Sequence, residues 1–158
     1  GQQGWPVLYA SADDHRLPEA TADAIVALSP ESAVVAGGKL AVHPGVDGSL
    51  RALVFDVDRL AGKSRYDTAD MLAALVDQPA DFQDRGVVVA NGHASADVLA
   101  YAHVAASKGW PVQLAQKDCL PAPAHAALSD PAGFATRVHV GGSVVLDQDL
   151  TASLTRCE

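Results

Sequence analysis

An internal duplication constrains the fold of this chain more than any other feature. Three short segments occur twice in the same order, the second set about 104 residues after the first. The segments are residues 4–8, 17–20 and 34–38, matched by residues 109–112, 120–123 and 138–142. The stretch from Asp56 to about Lys108 has no counterpart before residue 1. We therefore expect residues 1–50 to be the C-terminal half of a first repeat unit. Residues 51–158 are expected to form a complete unit, packed with the first as one compact body.

Composition excludes several classes of function. Apolar residues make up 49% of the 158 positions, which is enough for a hydrophobic core. No run approaches the roughly 20 apolar residues that a membrane span requires. The net charge is −8 and no Lys/Arg cluster occurs, so nucleic acid is not an expected partner. Phosphate-binding, dinucleotide-binding and metal-ligand spacings are also missing from the sequence, so we expect no cofactor and no metal.

Short apolar runs alternate with helical patterns along the chain. This alternation predicts an α/β fold with a mostly parallel sheet and helices on both faces. The predicted strands are residues 6–10, 32–36, 52–55, 86–90, 111–115 and 136–140, and the predicted helices are residues 18–28, 67–76, 96–107 and 121–128. Residues 42–50, which contain a proline and two glycines, are the expected linker.

Polar clusters follow three predicted strands, at residues 11–16, 91–97 and 116–119. In an open parallel sheet such loops can line a shared crevice for a polar ligand, but they are also where helix caps occur. His93 and Asp97 could form a base and its orienting acid, with Ser95 or Ser11 as the nucleophile. Arg65, beside a predicted helix start, either braces a neighbouring loop or contacts a ligand.

From about residue 57 to 154 the chain resembles the cell wall binding repeat type 2 family of Gram-positive surface proteins. The resemblance is carried by an ordered set of short motifs that follow the typical family pattern apart from one residue. These motifs are Arg59-Leu60-Ala61-Gly62, Arg65-Tyr66-Asp67-Thr68-Ala69, Asp97-Val98-Leu99-Ala100, Pro111-Val112-Gln113-Leu114, Leu120-Pro121 and Val140-Gly141-Gly142. Val98 departs from the alanine usual at that position, and residues 4–46 resemble the back half of a preceding unit.

The resemblance implies Rossmann- or toprim-like units in a secreted, cell-wall-associated module without an active site. The implied partner is a cell-wall polymer or glycan, and our candidate ligand-binding residues are Arg65, Tyr66, Asn91, His93 and Asp97. An anionic polymer would meet long-range repulsion from the acidic surface, although basic side chains at residues 59, 63 and 65 offer local contacts. The sequence leaves two alternatives open. One is a module that binds an envelope protein or forms a homo-oligomer, and the other is a small-molecule enzyme.

The two cysteines, Cys119 and Cys157, are either buried thiols or one disulfide. The extracellular setting that the resemblance implies favours the disulfide.

Overall fold

The computed structural model describes residues 5–10, 13 and 15–158, which form two compact units. The first unit is Pro6–Ser64 and the second is Arg65–Glu158, with which Trp5 is grouped. Elements of the first unit are α1 (Glu19–Leu28), β1 (Ser32–Ala36), α2 (Pro44–Arg51) and β2 (Asp56–Leu60). Elements of the second are α3 (Arg65–Ala73), a 3-10 turn (Phe82–Asp84), β3 (Gly86–Asn91), α4 (Ser95–Lys108), β4 (Val112–Ala115), α5 (Ala122–Ser129), β5 (Thr136–Val140) and α6 (Leu150–Ser153).

The first unit is built on the parallel pair β1–β2, in which Ser32 is in register with Asp56 and Ala36 with Leu60. Apolar side chains from the strands and both helices bury each other against this pair. The core residues are Leu17, Ile25, Val35, Val46, Leu50, Val54 and Val57. Only one face of each strand packs on this core. Side chains on that face are therefore buried, and those on the other face are exposed.

The second unit contains a three-stranded parallel sheet in the order β4-β3-β5. Every residue of the central strand β3 is buried. Val87 and Val89 point into a core with α5 and α6, whereas Val88 and Ala90 are buried on the opposite face. The sheet is therefore covered on both faces, and the predicted α/β fold with parallel strands is confirmed.

Three local predictions were wrong. Residues 42–50 are not a linker but contain most of α2, which His43 caps and in whose first turn Pro44 lies. Val46 and Leu50, one turn apart on this helix, are both buried. Residues 52–55 are not a strand: the chain leaves α2 there and Phe55 is 99% exposed, so the strand β2 begins only afterwards. Residues 6–10 form no strand, and their side chains are mostly exposed, so no burial against a sheet stabilises one.

The duplication is visible in local backbone geometry. Pro18 precedes α1 and Pro121 precedes α5, each with φ −55°. Gly37 follows β1 with φ 123°, and Gly141 follows β5 with φ 126°. The carbonyl of the next glycine accepts hydrogen bonds from two amides in each case, residues 41 and 42 in the first unit and 145 and 146 in the second. Both positions need glycine because L side chains rarely adopt these φ values.

A disulfide joins Cys119 to Cys157, which confirms the predicted pairing. The bonded segments also pair through their backbones, because Leu120 N–H donates to the Thr155 carbonyl and Cys157 N–H donates to the Leu120 carbonyl. The C-terminal segment is therefore fixed beside the loop that follows β4.

Within the described part of the chain, none of the helices combines the length and the apolar character that crossing a bilayer would need.

Candidate functional site

Two of the predicted ligand-binding residues meet a third at the carboxyl end of β3. Arg65 and Tyr66 form the first turn of α3, and His93 lies in the loop between β3 and α4. The Arg65 Nη1 donates to the Gly92 carbonyl at 2.7 Å and lies 3.5 Å from His93 Nδ1. The Tyr66 hydroxyl lies 3.4 Å from His93 Nε2. Arg65 and His93 are exposed and Tyr66 is half-buried, so the cluster presents a cation and an imidazole to solvent.

Glycine at position 92 allows this close approach. A Cβ there would lie 2.9 Å from Tyr66 Cε1 and 3.2 Å from Arg65 Cδ, closer than ordinary carbon–carbon contacts. Gly92 is therefore part of the site, although it is not one of the five ligand-binding residues predicted from the sequence. A glycine after a buried strand and before a polar residue is the signal that could have identified it.

Asn91 holds the loop rather than presenting a free amide. Its Nδ2 donates to the Val145 carbonyl at 2.6 Å, and its Oδ1 accepts the His93 N–H at 2.8 Å. Only 8% of the residue is exposed. Asn91 therefore fixes the position of His93 relative to the sheet.

Asp97 lies in the first turn of α4, and its carboxylate packs against the backbone of Gly141. A Cβ on Gly141 would lie 3.2 Å from Asp97 Oδ2. Among the described residues, no hydrogen bond joins the Asp97 carboxylate to the His93 ring. The base and orienting acid that the enzyme alternative requires are therefore not hydrogen-bonded to each other.

Of the three basic residues in the opening motif, Arg59 is engaged inside the first unit. Its guanidinium pairs with the Asp47 carboxylate and donates to the Gly37 carbonyl, and only 14% of the side chain is exposed. The hydrogen bond from Arg59 holds the Asp47 pKa below its usual range, against the opposing effect of burial. Lys63, in contrast, is exposed, as is Arg65.

The other two polar clusters have structural roles where the structure describes them. Ser11, Ala12 and Asp14 lie outside the described residues. The His15 ring contacts the His43 ring at a tilt of 49°, with 4.1 Å between centroids. Residues 116–119 form a bend, across which the Gln116 N–H donates a hydrogen bond to the Cys119 carbonyl. A crevice shared by all three clusters stays a prediction.

Comparison with known proteins identifies relatives of this chain. The family model described as cell wall binding domain 2 matches residues 59–151. The chain is 27% identical over 142 residues to the N-acetylmuramoyl-L-alanine amidase LytC of Bacillus subtilis (strain 168), covering 90% of this chain and 27% of that protein. It is 31% identical over 116 residues to the amidase enhancer of the same organism, covering 73% of this chain and 15% of that protein.

Two solved structures have the same fold. Cwp8 from Clostridium difficile superposes with a TM-score of 0.76 at 24% identity, covering 97% of this chain and 25% of that one. Cwp6 from Clostridium difficile gives a TM-score of 0.76 at 25% identity, covering 89% of this chain and 22% of that one. The chain therefore spans only 15% to 27% of the length of these four proteins.

The matched residues begin in β2 and end in α6, so they include Arg65, Tyr66, Asn91, His93 and Asp97. They also make up more than half of the chain. The chain belongs to the cell wall binding domain 2 family and is a cell-wall binding module of a secreted, cell-wall-associated protein.

Proposed function

We propose that this module is non-catalytic and that it holds an anionic cell-wall polymer through Arg65 and His93. The observation that supports this most directly is the exposed Arg65 guanidinium, which is anchored on the Gly92 carbonyl and lies beside the His93 ring. A planar guanidinium can donate two parallel hydrogen bonds to a phosphate or carboxylate group. Tyr66 and Asn91 fix the orientation of His93. The Asp97 carboxylate accepts hydrogen bonds from the hydroxyl groups of the polymer's sugars.

The net charge of −8 bears on how such a polymer would bind. Repulsion from the whole surface acts over about 10 Å at moderate ionic strength, whereas a contact at hydrogen-bond distance is screened much less. We therefore expect short-range contacts with one or two anionic groups for each module and modest affinity. Several modules in one protein would raise the overall affinity through effective concentration.

The test is retention of the purified chain on isolated Gram-positive cell walls, before and after the secondary polymers are removed. We expect binding to walls that keep their polymers and little binding to stripped walls. Arg65→Ala should lower the affinity about tenfold or more, since a hydrogen bond to a charged group contributes about 1.5–3 kcal/mol. Arg156→Ala is the matched control, because Arg156 is exposed and takes part in the structure through its backbone.

Salt dependence adds a second readout. Binding through an arginine–anion pair should weaken as sodium chloride is raised, whereas a neutral glycan would be nearly insensitive to it. Equal retention on intact and stripped walls, or an equal loss of affinity in both arginine variants, would contradict the proposal.

A further inference from the structure

The strands β1 and β5 are equivalent elements of the duplication, but they are paired along opposite edges. Gly37, after β1, donates its N–H to the Leu60 carbonyl of β2 at 2.8 Å. Thr136, the first residue of β5, donates to the Arg85 carbonyl just before β3 at 3.1 Å. Gly141 is the counterpart of Gly37, and it lies an odd number of residues from Thr136. Along a strand, successive N–H and C=O groups point to opposite edges, so Gly141 faces away from β3.

The outer edge of β5 is consequently unpaired within the second unit. The edge consists of the backbone groups of Arg137, His139 and Gly141, because Thr136 and the alternate residues after it face β3. The Gly141 N–H has no hydrogen-bond acceptor among the described residues. In the first unit the equivalent edge of β1 is filled along its whole length by β2. Open strand edges of this kind bind other extended segments.

The segment that fills the edge in the first unit has a specific chemistry. Besides its backbone pairing, β2 contributes Arg59, whose Nη1 donates to the Gly37 carbonyl. Among the residues that the structure describes, the corresponding Gly141 carbonyl is approached only by Gln148 Nε2, at a long 3.4 Å. That contact is weak enough to be displaced by an arginine.

We propose that the outer edge of β5 is a strand-addition site for the opening segment of another cell wall binding repeat. The segment adds in parallel, with the same register that Asp56–Leu60 has on β1, and its arginine donates to the Gly141 carbonyl. The occupant is an opening segment that is not already paired. The segment Asp56–Leu60 of a second copy would first have to leave its own β1, with which it makes five registered pairs. This proposal does not depend on the polymer site.

The test uses the full chain, labelled with 15N, and a synthetic peptide with the sequence of residues 56–64 at about millimolar concentration. We expect slower amide hydrogen exchange at His139 and Gly141 when the peptide binds. The Val138 and Val140 amides are already bonded to β3 and should change little.

Two methylated peptides provide the matched control. Asp56 N–H donates to the Glu31 carbonyl, just before β1. By alternation, the Asp58 N–H also faces that strand and the Arg59 N–H faces away. N-methylation at the Asp58 position should weaken binding at least tenfold, whereas N-methylation at the Arg59 position should change it less than threefold. Replacing the peptide arginine by alanine should weaken binding about tenfold.

Each other outcome contradicts the proposal. If the amides of residues 137–141 are unchanged, the edge does not accept this segment. If both methylated peptides bind equally, the contact is not strand addition. If exchange at these amides slows with protein concentration alone, a second copy is the occupant.

Discussion

Gly86 and Trp110 form a contact whose energy can be measured by a double-mutant cycle. A Cβ added to Gly86 would lie 2.3 Å from Trp110 Cε2 and 2.4 Å from Cδ2. Carbon atoms pack at about 3.5–4.0 Å, so the Gly86→Ala substitution must displace the indole by more than about 1 Å. The displaced ring would also lose its hydrogen bond from Nε1 to the Asp84 carbonyl, now 2.8 Å long.

The expected cost combines these two effects. Overpacking of a buried site costs about 1–3 kcal/mol, and loss of the hydrogen bond costs about 1 kcal/mol more. Gly86→Ala should therefore lower the free energy of unfolding by about 2–4 kcal/mol. In the Trp110→Ala background the ring is gone, so the same substitution should change the stability by less than about 0.5 kcal/mol or even raise it, since alanine is the better strand former.

The assay is urea unfolding followed by far-UV circular dichroism, because tryptophan fluorescence would change with the Trp110 substitution itself. Gly48→Ala is the matched control: Gly48 lies in α2 and an added Cβ there meets nothing within 4 Å. This control should be neutral or stabilising, because alanine favours helix over glycine. The same large loss from Gly86→Ala with and without Trp110 would refute the proposed contact.

Three further predictions concern other parts of the chain. The folded-state pKa of Asp47 is held low by the hydrogen bond from Arg59, so its stabilising contribution is present above about pH 3.8 and lost as the pH falls through the lowered value. Asp47→Asn should thus lose less stability than the wild type when urea unfolding at pH 3 is compared with pH 6. Gly141→Ala should cost about 1–3 kcal/mol because φ is positive there, whereas Gly142→Ala, with open space around it, should cost less than about 0.5 kcal/mol in the same assay. Reduction of the disulfide, which spans 38 residues, should lower the free energy of unfolding by about 4 kcal/mol, measured with and without dithiothreitol.

Two strands were predicted with correct bounds: β1, which carries the apolar run Ala33–Ala36, and β5, in which Val138 and Val140 alternate with polar residues. β2 was missed because three of its five residues are charged and only Val57 is buried, so its sequence contains no apolar run. The glycines and proline of residues 42–50 suggested a linker, but the buried pair Val46 and Leu50 outweighs the low helix propensity of glycine.

The candidate site was predictable in part. The family motifs predicted that Arg65, Tyr66 and His93 bind the same ligand. In the structure these three side chains lie together. The sequence did not indicate that the Asn91 side-chain amide donates to a backbone carbonyl, because the acceptor, on Val145, is 54 residues away. Contacts between distant segments depend on the packed fold, and no local pattern reports them.

The disulfide between Cys119 and Cys157 encloses every element from α5 to α6. A protease that hydrolyses one peptide bond inside this loop would therefore release no fragment, because the two new ends stay covalently joined. The nicked chain would come apart only if a reductant or a second cut followed. Reductants are scarce on a bacterial surface, so the protein would stay covalently intact there after a single cleavage in this loop.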